Sequence, residues 1–242
     1  MNHSDDLKGR TILIAGASSG MGLATAIAAA QAGADLILLG RNADRMAEAA
    51  ARVDDAGPGR VRQVLADAAD ADALARALEG QIDGVDMMVN TIGVNIVRRS
   101  FGDLTPTSWA GMIDANLNAA FNLAQILLPV LRARGGGLMV NISSTAARKP
   151  DASGAAYQAT KAGVLAMTHA ITEEEWQNGI RATVIMPGMT DTPLLAQRPT
   201  PPTDEMRARA LQPQDVADAC MFVMRLPPRA HVTELTIQPS QR

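Results

Sequence analysis

Cysteine, histidine and aromatic side chains are scarce in this sequence of 242 residues. Its one cysteine is Cys220, and its three histidines lie far apart, at His3, His169 and His231. A single thiol excludes an intramolecular disulfide, and dispersed histidines without thiolates do not form the clusters that bind zinc. We therefore expect neither a disulfide bond nor a bound metal ion.

Strong charge of one sign and long apolar runs are also missing. The formal net charge is −3, so the chain lacks the excess of lysine and arginine that nucleic-acid binding needs. No run is long and apolar enough to cross a bilayer, and residues 1–10 lack the apolar centre of a signal peptide. We expect a cytoplasmic protein that binds neither nucleic acid nor a membrane.

The sequence does contain an alternation of short apolar runs with longer, alanine-rich stretches of helical period. Such alternation is typical of repeated strand–helix–strand units, which build a parallel sheet. We predict an α/β protein of the doubly wound class, with one domain over residues 1–242 and a seven-stranded, mostly parallel sheet flanked by helices. The strands are expected at residues 11–15, 35–39, 61–65, 86–90, 138–142, 181–185 and 232–237.

Two long helices have clear boundaries in the sequence. Thr105 and Pro106 form a helix start that leads to a helix at 106–131, which the glycines at 135–137 end. A second helix is predicted at 154–177, stopped by Asn178 and Gly179. Five prolines lie between residues 189 and 213, and this segment is predicted to be an irregular substrate lid with a short helix near 204–210.

A glycine-rich turn follows the first predicted strand and precedes a helix. A strand, a tight glycine turn and a helix N-terminus together make a pyrophosphate site, because free N–H groups and the helix dipole face the anion. The spacing here is G-x-x-x-G-x-G over residues 16–22. It predicts a dinucleotide cofactor bound at Gly16, Ser18, Ser19, Gly20, Met21 and Gly22.

The same turn also has the G-x-S-x-G spacing of a hydrolase nucleophile elbow, with Ser18 as the nucleophile. Such an elbow is preceded by several strands, yet only fifteen residues precede Gly16. A hydrolase also needs a downstream acid and histidine, which leaves His231 with Asp191 or Asp204. A serine hydrolase and a purely structural glycine turn therefore stay as weaker alternatives.

The end of the second predicted strand indicates which dinucleotide is bound. NAD-binding domains usually carry an acid there to hold the ribose 2′-hydroxyl, whereas this chain has Gly40 followed by Arg41. The arginine offers a planar fork that suits a 2′-phosphate. We predict NADP(H) in preference to NAD(H). The alternative is a solvated Arg41 beside Asn42 as the cap of the next helix.

The chain has one tyrosine, Tyr157, and Lys161 follows it by one helical turn. A phenol can donate the proton that carbonyl reduction requires, and a nearby cation is expected to lower its pKa from about 10. An isolated Y-x-x-x-K also arises by accident in helices, so the neighbouring motifs must show whether this pair is catalytic. Ser144 ends the predicted fifth strand, thirteen residues before Tyr157.

Together with Asn-Thr-Ile-Gly at 90–93 and Pro-Gly-Met-Thr-Asp-Thr at 187–192, these residues make the chain resemble the short-chain dehydrogenase/reductase family nearly from end to end. The resemblance implies a Rossmann fold and an NADP(H)-dependent oxidoreductase acting on a carbonyl or alcohol substrate. The alternative is a cofactor-binding sensor or scaffold without turnover. The family resemblance also implies a homodimer or homotetramer built on the two long helices.

The resemblance further implies roles for single residues. Ser144 polarises the carbonyl, Tyr157 transfers the proton, Lys161 also binds the nicotinamide ribose, and Asn116 completes a proton relay, with Asn118 as a near alternative. Further cofactor contacts are implied for Asp67 at the adenine, for Thr192 at the nicotinamide end, and for Asn90, Gly93, Tyr157, Pro187, Gly188 and Thr190.

Two departures from the family pattern are visible. Ile92 stands where the family usually has alanine, and the usual glycine pair near the C-terminus is absent. The substrate pocket is expected between residues 94–97, the stretch after Ser144, and the lid. Arg148 and Lys149 either face an acidic substrate there or are simply solvated.

Overall fold

The computed structural model describes residues 7–241. Seven strands lie within this part of the chain: β1 (Thr11–Ala15), β2 (Asp35–Gly40), β3 (Val61–Leu65), β4 (Met87–Asn90), β5 (Gly137–Ile142), β6 (Ile180–Pro187) and β7 (Glu234–Ile237). They form one sheet in the order β3-β2-β1-β4-β5-β6-β7, and every neighbouring pair is parallel. The predicted doubly wound fold is confirmed, and the sheet is parallel throughout rather than mostly parallel.

Helices connect these strands. They are α1 (Gly20–Gln31), α2 (Ala43–Asp54), α3 (Ala71–Leu78), α4 (Pro106–Ile113), α5 (Ala119–Ala133), α6 (Ala155–Glu175), α7 (Asp204–Arg209) and α8 (Pro213–Met224). Short 3-10 turns are also present, at Thr145–Ala147, Trp176–Asn178 and Pro193–Gln197. Helix α8, for which no bounds were predicted, begins with a proline at its first position.

The core lies in two layers, one on each face of the sheet. Successive side chains of a strand point to opposite faces. Accordingly, Ile12 and Ile14 of β1 join the layer beneath α1, α2 and α8, whereas Leu13 and Ala15 join the layer beneath α3, α5 and α6. Because both faces of the sheet are covered, the inner strands β1 and β2 are almost wholly apolar, and they stand out in the sequence as short uninterrupted runs.

The predicted helix at 106–131 begins as expected but is not regular throughout. Thr105 caps it by accepting a hydrogen bond from the Ser108 amide at 3.1 Å. Between α4 and α5, however, residues Asp114–Asn118 form one wide π turn. The helix then continues past Pro129 to Ala133. An inserted π turn rotates the side chains that follow it, and such turns are frequent at functional sites.

The other predicted boundaries hold with small shifts. Helix α6 ends at Glu175, and after the turn Trp176–Asn178 the chain reaches Gly179 in the left-handed region at φ 72°. Residues 232 and 233 precede β7 rather than belonging to it. The base of the predicted lid is closed by backbone hydrogen bonds from Asp191 to Leu211 at 2.7 Å and from Leu211 to Met189 at 2.9 Å. No helix within residues 7–241 has the length and apolar character to span a bilayer.

The position of α1 depends on a contact that only glycine permits. A Cβ atom at Gly22 would lie 2.3 Å from the carbonyl oxygen of Gly16 and 2.5 Å from the hydroxyl of Thr91. Backbone atoms form part of this contact, so an added methyl group must push α1 away from β1. Gly84, in contrast, has no atom within 4 Å of its Cβ position.

We expect Gly22→Ala to lower the free energy of unfolding by about 1–3 kcal/mol, the usual cost of overpacking. Gly84→Ala is the matched control, and its effect should be neutral or stabilising by less than about 1 kcal/mol, because it only restricts the unfolded chain. Urea unfolding followed by circular dichroism measures both variants. Equal stability of the two would contradict the contact.

Candidate active site

Two adjoining cavities open at the carboxyl ends of the central strands. The larger has a volume of about 570 Å³ and the smaller about 100 Å³. Both are lined by Met21, Asn95, Thr192 and Leu194, so these four side chains form the boundary between them. The larger cavity lies between β1 and β4, where the strand order reverses, which is the usual ligand position in a doubly wound sheet.

The glycine turn forms one wall of the larger cavity. Gly16 and Gly20 adopt φ values of 83° and 53°, which other residues rarely accept. Ser19, at the cap position of α1, makes no capping hydrogen bond with its side chain, unlike Asn42 and Asp70 at the starts of α2 and α3. The N–H groups in the first turn of α1 therefore face the cavity without a side-chain acceptor, as an anion site requires.

Arginines lie at the far end of the larger cavity. Arg41 forms an exposed ion pair with Asp67 at 3.2 Å, and Arg45 lines the same end. A Cβ atom at Gly40 would lie 2.6 Å from the sulfur of Met46, so an acidic side chain at the end of β2 would require the Met46 side chain to move. Asn42 does cap α2, as the alternative proposed, by accepting from the Arg45 amide at 2.9 Å. Arg41 nevertheless lines the cavity.

Ser144 and Tyr157 line the smaller cavity. Ser144 follows β5 and accepts a hydrogen bond from the Ala146 amide at 3.1 Å, while Tyr157 lies in the first turn of α6. Burial raises the pKa of Tyr157 to about 12, although its hydrogen bond with Ser144 acts in the opposite direction. The phenol is therefore protonated at neutral pH.

Lys161 lies behind the cavity wall and lines neither cavity. Its side chain is buried, and its Nζ donates to the carbonyl oxygens of Ile142 at 3.0 Å and Ile92 at 3.4 Å. Burial lowers its pKa to about 8. The expected lowering of the tyrosine pKa by this cation is not found, because the Nζ is 5.9 Å from the ring centroid and the tyrosine responds mainly to its own burial.

Gly93 separates Lys161 from the larger cavity. A Cβ atom at Gly93 would lie 3.0 Å from the lysine Nζ and 3.9 Å from Oδ1 of Asn116. Any side chain at this position would displace the ammonium group. The lysine therefore approaches the cavity at Gly93, where the wall has no side chain.

Asn116 occupies the π turn and is almost fully buried. Its Oδ1 accepts from the Val94 amide at 2.7 Å, and its Nδ2 donates to the Val94 carbonyl at 3.0 Å and the Thr160 hydroxyl at 3.2 Å. Asn118, the alternative, is exposed and donates to Asp114 at 2.7 Å. Asn116 lines neither cavity, and it holds the loop after β4 against α6.

The remaining predicted residues divide into three groups. Those that line the larger cavity are Gly16, Ser18, Ser19, Gly20, Met21, Gly22, Arg41, Asp67, Gly93 and Thr192. Those that line the smaller one are Met21, Ser144, Tyr157, Pro187, Gly188, Thr190 and Thr192. Asn90 lines neither, because its buried amide donates to Asn141 at 3.3 Å and its Oδ1 accepts from the Ile92 amide at 3.0 Å.

Sequence reasoning missed several charged residues of the site. Arg45 lines the larger cavity, and Arg99, Asp151 and Arg198 line the smaller one. They lie in loops or on a helix surface, where no spacing sets them apart. Of the two cations that the sequence did suggest for a substrate, Arg148 is bound to Glu234 and Lys149 lines neither cavity.

The hydrolase alternative finds no support in this geometry. Ser18 lines the larger cavity, but His169 faces Glu234 at 2.9 Å and His231 faces the Ala182 carbonyl at 3.0 Å. Neither histidine is within hydrogen-bond distance of Ser18, and His3 lies outside the described residues. In residues 7–241, we also find no group of histidine, cysteine and acidic side chains that could hold a metal ion.

Comparison with known proteins assigns the family. The family model for short chain dehydrogenases matches residues 10–202 of the chain. An uncharacterized oxidoreductase of Staphylococcus epidermidis is 32% identical over 236 residues, which cover 96% of this chain and 98% of that protein.

Solved structures agree with this assignment. A 3-oxoacyl-[acyl-carrier protein] reductase from Brucella melitensis with bound NAD superposes with a TM-score of 0.87 at 26% identity, covering 98% of this chain and 93% of that one. L-Sorbose reductase from Gluconobacter frateurii, complexed with NADPH and L-sorbose, gives a TM-score of 0.86 at 25% identity, with coverage of 99% and 98%. The chain therefore belongs to the short-chain dehydrogenase/reductase family and is an oxidoreductase.

Proposed function

We propose that this protein is an NADP(H)-dependent oxidoreductase that interconverts a carbonyl compound and an alcohol, with Tyr157 as general acid and base. One observation carries the proposal. The cavity that holds Ser144 and Tyr157 adjoins the cavity at the glycine turn, and the two share a boundary. A substrate in the first is thus placed directly beside a nucleotide in the second.

The larger cavity fits a nicotinamide dinucleotide. Its volume of about 570 Å³ is within the range of ligand sites, and it offers an uncapped helix N-terminus for a pyrophosphate. We assign the 2′-phosphate to Arg41 and Arg45, and the nicotinamide ribose to Lys161 behind Gly93. When bound, the cofactor supplies or accepts the hydride. The predicted contacts of Asp67 and Thr192 are compatible with their places in the cavity wall.

Ser144 and Tyr157 perform the proton chemistry of the proposed reaction. The Ser144 hydroxyl donates a hydrogen bond to the carbonyl oxygen and polarises it, and the Tyr157 O–H gives its proton to that oxygen as negative charge develops. A pKa of about 12 keeps the phenol protonated at neutral pH, which suits the direction of reduction. Alcohol oxidation reverses these transfers.

Asn116 is a positioning residue in this scheme. Its amide fixes the Val94 backbone and Thr160, which follows Tyr157 by three residues on α6. It thereby sets the distance between the loop after β4 and the helix that carries the tyrosine. The predicted relay of protons through Asn116 stays a prediction.

A homodimer or homotetramer built on α4, α5 and α6 also stays a prediction. Trp109 of α4 and Phe121 of α5 expose 39% and 49% of their surface, which supports an apolar contact on this side of the molecule.

Tyr157→Phe removes the proton donor but retains the ring. We expect kcat/KM for NADPH-dependent reduction of a responsive ketone to fall by about 10³-fold, within the range of general acid catalysis. The Kd for NADPH, measured by fluorescence titration, should change less than about threefold, since this binding uses the other cavity. Undiminished turnover in the variant would refute the mechanism, and NADPH binding without turnover of any carbonyl by the wild type would favour the sensor.

Arg41→Asp tests the choice of cofactor. We expect the Kd for NADPH to rise at least about tenfold, the value of one charge-assisted hydrogen bond to phosphate, while the Kd for NADH changes little. Arg229→Asp is the control, because Arg229 is exposed in the loop before β7, at the opposite edge of the sheet. An equal loss of affinity for NADPH and NADH would remove the argument for the 2′-phosphate.

Lys161 should make cofactor binding dependent on pH. Burial lowers its pKa to about 8 in the free protein, so the ammonium form that binds a ribose hydroxyl is present below that pH and is lost above it. We expect the Kd for NADPH to rise about tenfold between pH 7 and pH 9.5 in the wild type. In Lys161→Met the Kd should be weaker and nearly constant over the same range. A constant Kd in the wild type would show that the charge is not used.

A further inference from the structure

The smaller cavity carries an excess of positive charge. Its charged lining residues are Arg99, Arg198 and Asp151. Two guanidinium groups and one carboxylate leave a net charge of +1 beside Tyr157. Asp151 is exposed, whereas only 7% of the surface of Arg99 is accessible to solvent. The buried part of the cavity is therefore the positive part.

Arg99 is held firmly in this position. Its Nε donates to the Ile96 carbonyl oxygen at 2.7 Å, and its Nη2 donates to the carbonyl oxygen of Gln197. A Cβ atom at Gly154 would lie 2.9 Å from the Cβ of Arg99, so the glycine before α6 leaves room for the arginine stem. Gly154 precedes Tyr157 by three residues. The guanidinium group is thus fixed next to the start of the helix that carries the tyrosine.

Neither arginine of the cavity has a carboxylate within ion-pair distance among the described residues, although neighbouring arginines do. Arg98 pairs with Asp103 at 3.2 Å, and Arg148 pairs with Glu234. Arg99 instead has two neutral carbonyl oxygens as partners, and Arg198 has no side-chain hydrogen bond in residues 7–241.

The positive charge of this cavity is only partly compensated. Burial and the positive charge of Arg198 lower the pKa of Arg99, and the Asp151 carboxylate acts in the opposite direction. Two like charges that line one cleft repel each other, and an anion between them would relieve the repulsion and supply the missing partner. Perturbed cations in a cleft are a mark of a binding site.

We propose that Arg99 and Arg198 bind the carboxylate of a small oxo acid or hydroxy acid, and that they hold its carbonyl or alcohol group against Tyr157. The inference deepens the proposed function and rests on it. A monoanion matches the net charge of +1, and a guanidinium fork matches the two oxygens of a carboxylate. The volume of about 100 Å³ favours a substrate of few carbon atoms.

The test compares each acid with its own methyl ester, which keeps the carbonyl group and removes the charge. The probes are 2-oxobutanoate, 3-oxobutanoate and 4-oxopentanoate. They differ in the number of carbon atoms between the carboxylate and the carbonyl group, so the series also shows which spacing the cavity accepts. With NADPH, we expect kcat/KM for at least one acid to exceed that of its ester by about tenfold or more. A wild-type protein that prefers every ester would overturn the proposal.

Variants of the arginines separate binding from structural support. Arg198→Gln should lower the acid-to-ester ratio of kcat/KM at least about tenfold, and Arg198→Lys should retain part of it because the charge remains. Arg98→Gln is the matched control and should retain the full ratio, since Arg98 is exposed and pairs with Asp103. Arg99→Gln is a second variant, used once circular dichroism shows that it folds. An equal loss with acid and ester in both glutamine variants would assign the arginines a supporting role only.

Calorimetric titration of the same acids into the NADP⁺-saturated protein gives a readout independent of turnover. We expect binding to the wild type and to Arg98→Gln, and a Kd at least about tenfold weaker in Arg198→Gln. Reduction of esters without binding of any acid would overturn this inference and leave the proposed function intact. Binding of an acid that depends on Arg198, without turnover of any substrate, would instead contradict the proposed function and leave the carboxylate site intact.

Discussion

The close contact between the start of α1 and the turn after β1 is the constraint on which the rest of this molecule depends. Gly22 lies against the carbonyl oxygen of Gly16 and the hydroxyl of Thr91, with no space for a side chain. Thr91 also donates to the carbonyl oxygen of Ala15 at 2.9 Å, so β1, β4 and α1 meet at one point. The strand order reverses there, and the contact thereby places uncapped N–H groups at the mouth of the cleft.

Lys161 makes a second junction, deeper in the molecule. Its Nζ joins the chain at the ends of β4 and β5 to α6 through the carbonyl oxygens of Ile92 and Ile142. Neutral carbonyl groups satisfy its hydrogen bonds but do not balance its charge, so burial lowers its pKa to about 8, just as burial raises that of Tyr157 to about 12. Both shifts favour uncharged forms, and because these groups are buried, a charge bound beside them would act on them more strongly than in water.

Features that depend on local sequence were predictable, and features that depend on distant contacts were not. The strands, the Thr105 cap and the glycine turn each follow from neighbouring residues, because burial on both faces, capping and positive φ leave a local pattern. The π turn that buries Asn116 leaves no such local pattern in the sequence. Arg99 is joined to Gln197 across 98 positions of sequence, and no spacing rule reports such a pair.

The same distinction separates the two ends of the site. Ser144 and Tyr157, the residues proposed for proton transfer, lie directly after β5 and in the first turn of α6, whereas the two arginines of the smaller cavity, Arg99 and Arg198, lie in loops. Arg99 nonetheless fixes Gln197, next to Arg198, in the segment that we regard as a lid. An anion bound between the two guanidinium groups would lower their mutual repulsion, so the lid segment would be more stable with substrate than without it. Under the proposed function, substrate charge and lid position are therefore linked through one buried arginine.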